Sequence, residues 1–239
     1  ALRSADLLST VSEELADELR ALHNKPTLVV PNGFDIPDNV VREALGKPRR
    51  QPRLPIRIVY TGRIYPQLRD PSPLLEAVVD GERRGRWPKG SIEVHLYGAQ
   101  TDGIEGLLTR GGYRHFVTMH GHVPRDATLK AQNDADILLL LESPLPEARG
   151  VLTGKLFEYL ATGIPILSLG SGPDSAIARL LEETGAGVCA GSDTSIIGGV
   201  IAASLSGAAI PGVSPSEDRI LRYSRKTQAE ELLAHALQA

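Results

Sequence analysis

Residues 150–161 read Gly-Val-Leu-Thr-Gly-Lys-Leu-Phe-Glu-Tyr-Leu-Ala, and residues 162–167 continue Thr-Gly-Ile-Pro-Ile-Leu. This stretch predicts a loop, a short helix and a buried strand. Gly163 and Pro165 stand where a helix is expected to end, and the apolar residues after them fit a strand. One face of the predicted helix is apolar, since it carries Leu156, Phe157 and Leu160.

The same stretch carries groups that suit an anion and a sugar. Lys155 offers a positive charge for a phosphate, and Glu158, three residues later, can accept hydrogen bonds from sugar hydroxyls. A glycine-containing loop lets the backbone approach a ligand, and free N–H groups at a helix start favour an anion. The residues that would offer these N–H groups are Val151, Leu152, Thr153 and Gly154. The alternative is an ordinary α/β helix with a solvated Lys–Glu pair.

The stretch resembles the donor-site segment of family 4 glycosyltransferases, retaining enzymes with two facing Rossmann domains (the GT-B fold). In that family, two glutamates eight positions apart precede a proline-containing strand. Glu158 matches the second glutamate, which binds the nucleotide ribose. The first glutamate, which contacts the donor sugar and its phosphate, falls on Gly150 here, and Glu147 is nearby but out of register.

A second motif follows the apolar run at residues 56–60, which predicts a strand. The turn after it contains Gly62 and Arg63, and ligands bind at such strand ends in parallel sheets. The resemblance implies that Arg63 contacts the donor diphosphate. The family's lysine five residues later is Leu68 here, and the adjacent Arg69 is the candidate cation, with a plain surface charge as the alternative.

A third motif is the turn that contains His120, His122 and Val123. The resemblance implies that His122 and Val123 lie against the nucleotide base. Two histidines without a nearby acidic ligand are weak support for a metal site, so we expect none here.

The pair Asp134 and Asp136 has the spacing of the metal motif found in single-Rossmann (GT-A) glycosyltransferases. In those enzymes the acids end a strand. Here they are predicted to end a helix that Asp126 caps, and the strand 137–141 follows. We therefore expect no metal at these acids.

Composition excludes several classes of protein. The 239 residues include 26 Lys and Arg against 29 Asp and Glu, a net charge of −3 that favours neither nucleic acid nor an anionic membrane surface. A single cysteine, Cys189, excludes an intrachain disulfide. No apolar run approaches the roughly 20 residues of a membrane span. Because the first residue is Ala1 and the only methionine is Met119, we expect an upstream segment.

The predicted fold class is α/β, a Rossmann-like parallel sheet with helices on both faces, because strands and helices alternate along the chain. The resemblance divides the chain into the end of an acceptor domain with its hinge (1–37), a linker rich in Pro, Arg and Lys (38–55), a nucleotide-sugar-binding domain (56–212) and a C-terminal helix that returns to the N-terminal domain (213–239). Near the N-terminus, Ser12 is predicted to cap a helix with an apolar stripe of Leu15, Leu19 and Leu22. Without a full N-terminal domain, four C-terminal leucines should be exposed: Leu221, Leu232, Leu233 and Leu237.

The resemblance implies a glycosyltransferase that moves a sugar from a nucleotide sugar, UDP- or GDP-linked, to a glycan or other acceptor, as in polysaccharide biosynthesis. Arg63 and Lys155 would stabilise the departing diphosphate, with no metal and no cofactor. The acceptor would bind to the N-terminal domain, so the isolated chain should bind a nucleotide and transfer nothing. The expected location is the cytoplasm, with peripheral association at the inner face of the membrane as an option.

Two alternatives stay open. A sugar-nucleotide epimerase of the same architecture would need acids and a histidine contributed across the cleft. A non-catalytic nucleotide-sugar-binding domain is favoured by Gly150, where the family has glutamate.

Overall fold

The structure, a computed structural model, describes residues 4–48, 51–65, 68–98 and 103–236. The strands within these ranges are β1 (Leu8–Thr10), β2 (Thr27–Val29), β3 (Ile56–Thr61), β4 (Ile92–Tyr97), β5 (Val117–Gly121), β6 (Ile137–Leu141), β7 (Ile166–Leu169) and β8 (Gly187–Gly191). The helices are α1 (Glu13–His23), α2 (Asp38–Gly46), α3 (Ser72–Arg83), α4 (Ile104–Arg110), α5 (Arg125–Asn133), α6 (Gly154–Leu160), α7 (Ala176–Thr184), α8 (Thr194–Ser206), α9 (Glu217–Leu221) and α10 (Arg225–Ala236).

The main sheet confirms the predicted fold class. Its six strands are all parallel, in the order β5-β4-β3-β6-β7-β8. The chain moves outward from β3 to β5 and then returns to β6, so β3 and β6 are neighbours at the centre, with Ile58 opposite Ile137. Such a change of direction opens a crevice at the carboxyl ends of the two central strands, where ligands bind in this class of fold.

Helices cover both faces of the sheet, and alternate residues of one strand pack against opposite faces. In β6, Leu139 belongs to the apolar cluster under α3, α4 and α8, whereas Leu138 belongs to the cluster under α6 and α7. All five residues of β6 are buried, because a central parallel strand is covered on both sides. The uninterrupted apolar run of this strand follows from its position.

The N-terminal segment forms a small β-α-β unit in which β1 and β2 pair in parallel. As predicted, Ser12 caps α1, because its Oγ accepts a hydrogen bond from the N–H of Leu15 at 3.5 Å. The predicted apolar stripe is wrong at its end, since Leu22 is 75% exposed and Ala16 is the one buried residue of this helix. The unit has little core of its own.

The interpretation of residues 38–55 as a linker is wrong for its first half, which forms α2. Pro37 precedes this helix and Asp38 lies in its first turn, a favourable arrangement at a helix start. Val41 is fully buried in the same apolar cluster as Leu138. Composition predicted a linker because the second half of residues 38–55 is rich in basic residues and proline and dominates the composition of the whole segment. Residues 49–50 of that half lie outside the described ranges.

The C-terminal segment returns to the N-terminal segment through main-chain hydrogen bonds. The N–H of Phe34 donates to the carbonyl of Tyr223 at 3.0 Å, and the N–H of Arg225 donates to the carbonyl of Phe34 at 2.9 Å. Leu221 is 9% exposed and packs in the cluster that contains Phe34, so the expectation that it lacks a partner is wrong. Leu232 and Leu233 are exposed by 38% and 60%. Leu237 lies outside the described residues.

Candidate functional site

The side chain of Lys155 lies at the crevice between the two central strands. Lys155 is in the first turn of α6, and its ammonium donates a hydrogen bond to the Tyr60 hydroxyl at 3.1 Å. The ammonium also lies 4.6 Å from the centroid of the Tyr60 ring. Gly62 has a φ of +142°, and a Cβ built there would come within 2.5 Å of the Lys155 Nζ. The structure therefore brings Gly62 and Lys155 together, and the glycine leaves room for the lysine.

Burial changes the protonation behaviour of this group. Burial and, to a lesser extent, the Arg69 guanidinium lower the pKa of Lys155 to about 8, and the Glu142 carboxylate opposes this shift. Glu142, immediately after β6, is only 6% exposed and accepts a hydrogen bond from the Thr153 hydroxyl at 3.0 Å. Burial raises the pKa of the Glu142 carboxyl, and Lys155 is the largest of the influences that lower it.

Glu142 was not among the residues predicted from the sequence. The available signal was its position, since an acidic residue directly after the apolar run 137–141 stands at the carboxyl end of a buried strand. Ligand-binding groups concentrate at that edge of a parallel sheet.

The two predicted arginines have different environments. The guanidinium of Arg63 is exposed, donates to the Tyr65 hydroxyl at 3.0 Å and lies 5.8 Å from the Tyr65 ring centroid. Arg69 is half-buried and approaches the same ring to 5.8 Å. It also interacts electrostatically with Tyr60, Glu142 and Lys155. Arg69 therefore belongs to the group around the lysine, and Arg63 lies at its exposed margin.

Glu158 is on the side of α6 that faces α5. Its carboxylate accepts a hydrogen bond from the Arg125 guanidinium at 2.9 Å, with 29% of the Glu158 side chain and 75% of the Arg125 side chain exposed. Arg125 is the first residue of α5, and Pro124 occupies the cap position. The prediction that Asp126 caps this helix is wrong, because Asp126 lies inside the first turn.

The loop before α6 is closed against the N-terminal segment. Gly150 is buried, and a Cβ built there would lie 2.9 Å from the Ser12 Oγ and 3.0 Å from the Glu14 Cβ. The Asn32 side-chain amide donates to the carbonyl of Leu152 at 3.1 Å. A glutamate side chain therefore has no room at position 150. Glu147 does not replace it, since it is exposed in the 3₁₀ turn Pro146–Ala148.

One of the backbone N–H groups predicted to face an anion before α6 already has a partner. The N–H of Val151 donates to the carbonyl of Ala148 at 3.0 Å. The Thr153 side chain is held by Glu142, and α6 has only seven residues, so its dipole is short. Space is open over Gly154, because nothing lies within 4 Å of a Cβ built there.

The predicted base-facing turn lies at the carboxyl end of β5. His122 is exposed, and Val123 lines a cavity of about 340 Å³ with Tyr97 and Ala131. Two further cavities, of about 770 and 360 Å³, lie at the amino ends of the strands and contain none of the predicted site residues.

Asp134 and Asp136 follow α5 and precede β6, as predicted. The Asp136 carboxylate accepts a hydrogen bond from the N–H of Arg57 at 2.8 Å, which ties the start of β6 to β3. Within the described ranges, no group of three or more His, Cys, Asp or Glu side chains is placed to hold a metal ion. Asp136 therefore has a structural partner in the backbone.

Solved structures with the same fold are glycosyltransferases, although no protein-family model and no curated protein matches the sequence. The lipopolysaccharide outer core galactosyltransferase WaaB is 18% identical with a TM-score of 0.65, and the match covers 98% of this chain and 62% of WaaB. HepE of Anabaena, solved with UDP-glucose, is 15% identical with a TM-score of 0.67 over 100% of this chain and 65% of HepE. Sucrose-phosphate synthase from Thermosynechococcus elongatus is 17% identical with a TM-score of 0.63, and the match covers 99% of this chain and 59% of the synthase.

These likenesses define the fold. The chain has the α/β architecture of a GT-B glycosyltransferase domain, with six parallel strands flanked by helices. It spans about three fifths of the length of these three structures, from 59% to 65%.

Proposed function

We propose that this chain is the donor-binding part of a retaining, family 4-like glycosyltransferase that moves a sugar from a nucleotide sugar to a glycan or other acceptor. The fold and the order of the sequence motifs support the class. The environment of Lys155 is the observation that carries the proposal within that class. The reaction would proceed in the cleft between this domain and an acceptor-binding domain.

Lys155 is a partly buried cation with an incomplete electrostatic environment. Its ammonium donates to the neutral Tyr60 hydroxyl, the nearby Arg69 adds a second positive charge, and the Glu142 carboxylate offsets these effects only in part. Desolvation and a like charge both disfavour the ammonium form unless an anion neutralises them. A nucleoside diphosphate at the carboxyl ends of β3 and β6 would supply that anion. The same charges would then stabilise the diphosphate as it leaves the sugar.

The other predicted residues take positions around this anion site. Arg63 would contact the diphosphate from the exposed margin, Glu158 would bind the ribose, and His122 and Val123 would face the base. The preferred nucleotide is UDP, because HepE was solved with UDP-glucose and the O-GlcNAc transferase GtfA with UDP and GlcNAc. No metal and no cofactor takes part in this proposal.

Where the enzyme acts is also part of the proposal. Among the described residues, no helix combines the length and the apolar character needed to cross a membrane. We propose action in the cytoplasm, with the acceptor glycan bound by a separate N-terminal domain and peripheral contact with the inner face of the membrane.

Titration calorimetry of the 239-residue chain with UDP, GDP, ADP, TDP and uridine tests the proposal. We expect UDP to bind, EDTA to leave its affinity unchanged and uridine to bind far more weakly. Binding of none of these nucleotides would contradict a donor site. Loss of UDP binding in EDTA that manganese restores would instead establish a metal-dependent site.

A transfer assay separates the catalytic and non-catalytic versions of the proposal. Gly150 removes an acid that contacts the donor sugar in the family, and the packing of Ser12 and Glu14 explains why none can stand there. We expect this chain alone to bind nucleotide without transferring sugar, and the protein with an acceptor domain to release UDP and glycosylated product. Conversion of one UDP-sugar into another, without release of UDP, would identify an epimerase.

A further inference from the structure

A hydrogen-bonded chain of three titratable side chains lies outside the crevice, on strands β4 and β5. The His95 Nδ1 is 3.0 Å from the His120 Nε2, and the His95 Nε2 is 3.1 Å from a carboxylate oxygen of Glu93. His95 is thus held between an acid on one side and a second imidazole on the other. Neither histidine takes part in the proposed transfer.

The backbone creates this arrangement through a bulge in β5. Thr118 pairs with His95, and Met119 pairs with the next residue of β4, but Gly121 pairs with Tyr97. His120 is therefore an extra residue in the ladder, and a bulge of this kind redirects a side chain. The His120 ring stacks on the Tyr97 ring, with centroids 4.0 Å apart and planes 1° from parallel. This stack fixes the plane of the imidazole.

We propose that His95 and His120 bind a divalent transition-metal ion that prefers imidazole, such as Zn²⁺, Cu²⁺ or Ni²⁺. Two imidazole nitrogens about 2.0–2.1 Å from a tetrahedral metal are roughly 3.3 Å apart, close to the observed 3.0 Å. The two nitrogens now point at each other, with ring centroids 5.2 Å apart, so both rings must turn until their lone pairs point at the same ion. His95 donates its other N–H to Glu93, which leaves a lone pair on Nδ1. A carboxylate behind a coordinating histidine is the usual outer partner at metal sites.

Metal binding changes one tautomer and no overall charge on the protein. In the hydrogen-bonded pair, the His120 Nε2–H donates to the His95 Nδ1. To coordinate through Nε2, His120 must carry its proton on Nδ1 instead, and both nitrogens of the pair then offer lone pairs to the same ion. The adjoining cavity of about 340 Å³, which both histidines line, has room for the water molecules that complete the coordination.

Two protein ligands make an open site rather than a structural one. Structural zinc sites have four protein ligands, and catalytic zinc sites commonly have three with a water in the remaining position. Affinity should accordingly depend on both histidines at once. The His115–Glu82 pair, joined at 3.1 Å, has the same acid–imidazole contact, but the other ring nitrogen of His115 faces the Gly112 carbonyl at 2.9 Å rather than a second imidazole. This pair therefore provides a matched control.

Calorimetric titration of tag-free protein with Zn²⁺, Ni²⁺ and Cu²⁺, without any nucleotide, tests the inference. We expect one ion per chain, with His95→Gln and His120→Gln each weakening binding by more than tenfold and Glu93→Gln by about tenfold. His115→Gln and His122→Gln should bind as the unchanged protein does. Circular dichroism checks that each variant is folded, because a loss of metal binding counts only in folded protein.

Electron paramagnetic resonance of the Cu²⁺ form supplies a second readout, since two coordinated imidazoles give nitrogen hyperfine splitting that His115→Gln retains and His120→Gln loses. If the His95 and His120 variants bind metal as tightly as the unchanged protein does, or if the unchanged protein binds none, the inference is overturned. The inference stands apart from the donor site: an absence of UDP binding would leave it intact, and an absence of metal binding would leave the donor site intact.

Discussion

The loops before α5 and α6 stand at the same edge of the sheet but differ in how firmly they are held. The loop before α6 has a buried acid at its start and a buried glycine packed on α1, with Asn32 bonded to the carbonyl of Leu152. The loop before α5 carries two exposed residues, His122 and the cap residue Pro124. One loop is fixed by burial, and the other is largely in solvent.

This difference assigns separate tasks to the two loops. Positive charges that stabilise an anionic leaving group work best when they are already in place, which suits the fixed loop that leads to Lys155. The exposed loop can adjust to a base and a ribose. The ion pair between Glu158 and Arg125 joins the two helices that follow these loops.

Gly150→Glu should have the largest effect on stability, because it disrupts the packing that fixes the loop before α6. The new side chain must displace Ser12 and would place a carboxylate beside Glu14, so we expect a loss of more than about 2 kcal/mol in the free energy of unfolding. Chemical denaturation followed by circular dichroism measures it.

Gly172→Glu is the matched control. Gly172 is exposed with nothing within 4 Å of an added Cβ, and its substitution should change stability by less than about 0.5 kcal/mol. If both variants unfold at the same denaturant concentration, the loop before α6 is not held by α1.

Lys155→Ala should have the next largest effect, this time on binding. Removing a charged hydrogen-bond donor costs about 1.5–3 kcal/mol, so affinity for UDP should fall roughly 10- to 150-fold while that for uridine stays the same. Arg63→Ala should lower UDP affinity less, because Arg63 is exposed and already contacts Tyr65. Calorimetry that finds equal losses for UDP and uridine would remove Lys155 from the phosphate position.

Much of the fold could be predicted from local sequence patterns. The apolar run of β6 and the glycine turn after β3 are local signals, and each lies where it was predicted. The helix α6 ends at Leu160, three residues before the predicted Gly163. The proximity of Gly62 and Lys155 was also implied, since both follow strands at one edge of a parallel sheet. These predictions succeeded because the parallel sheet converts order along the chain into position.

What the sequence did not show depends on contacts between distant segments. Glu142 belongs to the site because it lies close to Thr153 and Lys155. The half-buried position of Arg69 depends on the course of its loop. The absence of a glutamate at position 150 is explained only by α1, more than a hundred residues earlier. The helix α2 was hidden because burial of Val41, rather than local composition, stabilises it.

Raising the pH should weaken UDP binding by less than the Lys155→Ala substitution does. Since the pKa of Lys155 is lowered to about 8, affinity should fall between pH 8 and pH 9 by up to about tenfold as the ammonium loses its proton. Lys155→Arg should flatten this dependence, because arginine stays protonated. Calorimetry from pH 7 to pH 9.5 measures both profiles, and a flat profile for the unchanged protein would contradict a lysine contact to the diphosphate.

The same group predicts the opposite trend for stability. The lysine has a pKa of about 8 in the folded protein against 10.5 as its ordinary value, so the unfolded chain binds more protons between these two values. The free energy of unfolding should therefore gain a contribution that increases with pH in this window. Denaturation curves of Lys155→Ala, which lacks the group, give the baseline.

Arg125→Ala should have the smallest effect, and it tests the link between the two loops. An exposed ion pair contributes about 0–1 kcal/mol, so stability should hardly change. Arg125 occupies one oxygen of the Glu158 carboxylate, at 2.9 Å. If Glu158 binds the ribose, freeing that oxygen should raise UDP affinity a few-fold and increase the preference for UDP over 2′-deoxy-UDP.

Glu158→Gln should remove that preference with or without Arg125. A fall in affinity for both nucleotides in Arg125→Ala would instead make the arginine a direct contact, and equal binding of the two nucleotides by the unchanged protein would exclude Glu158 from the ribose.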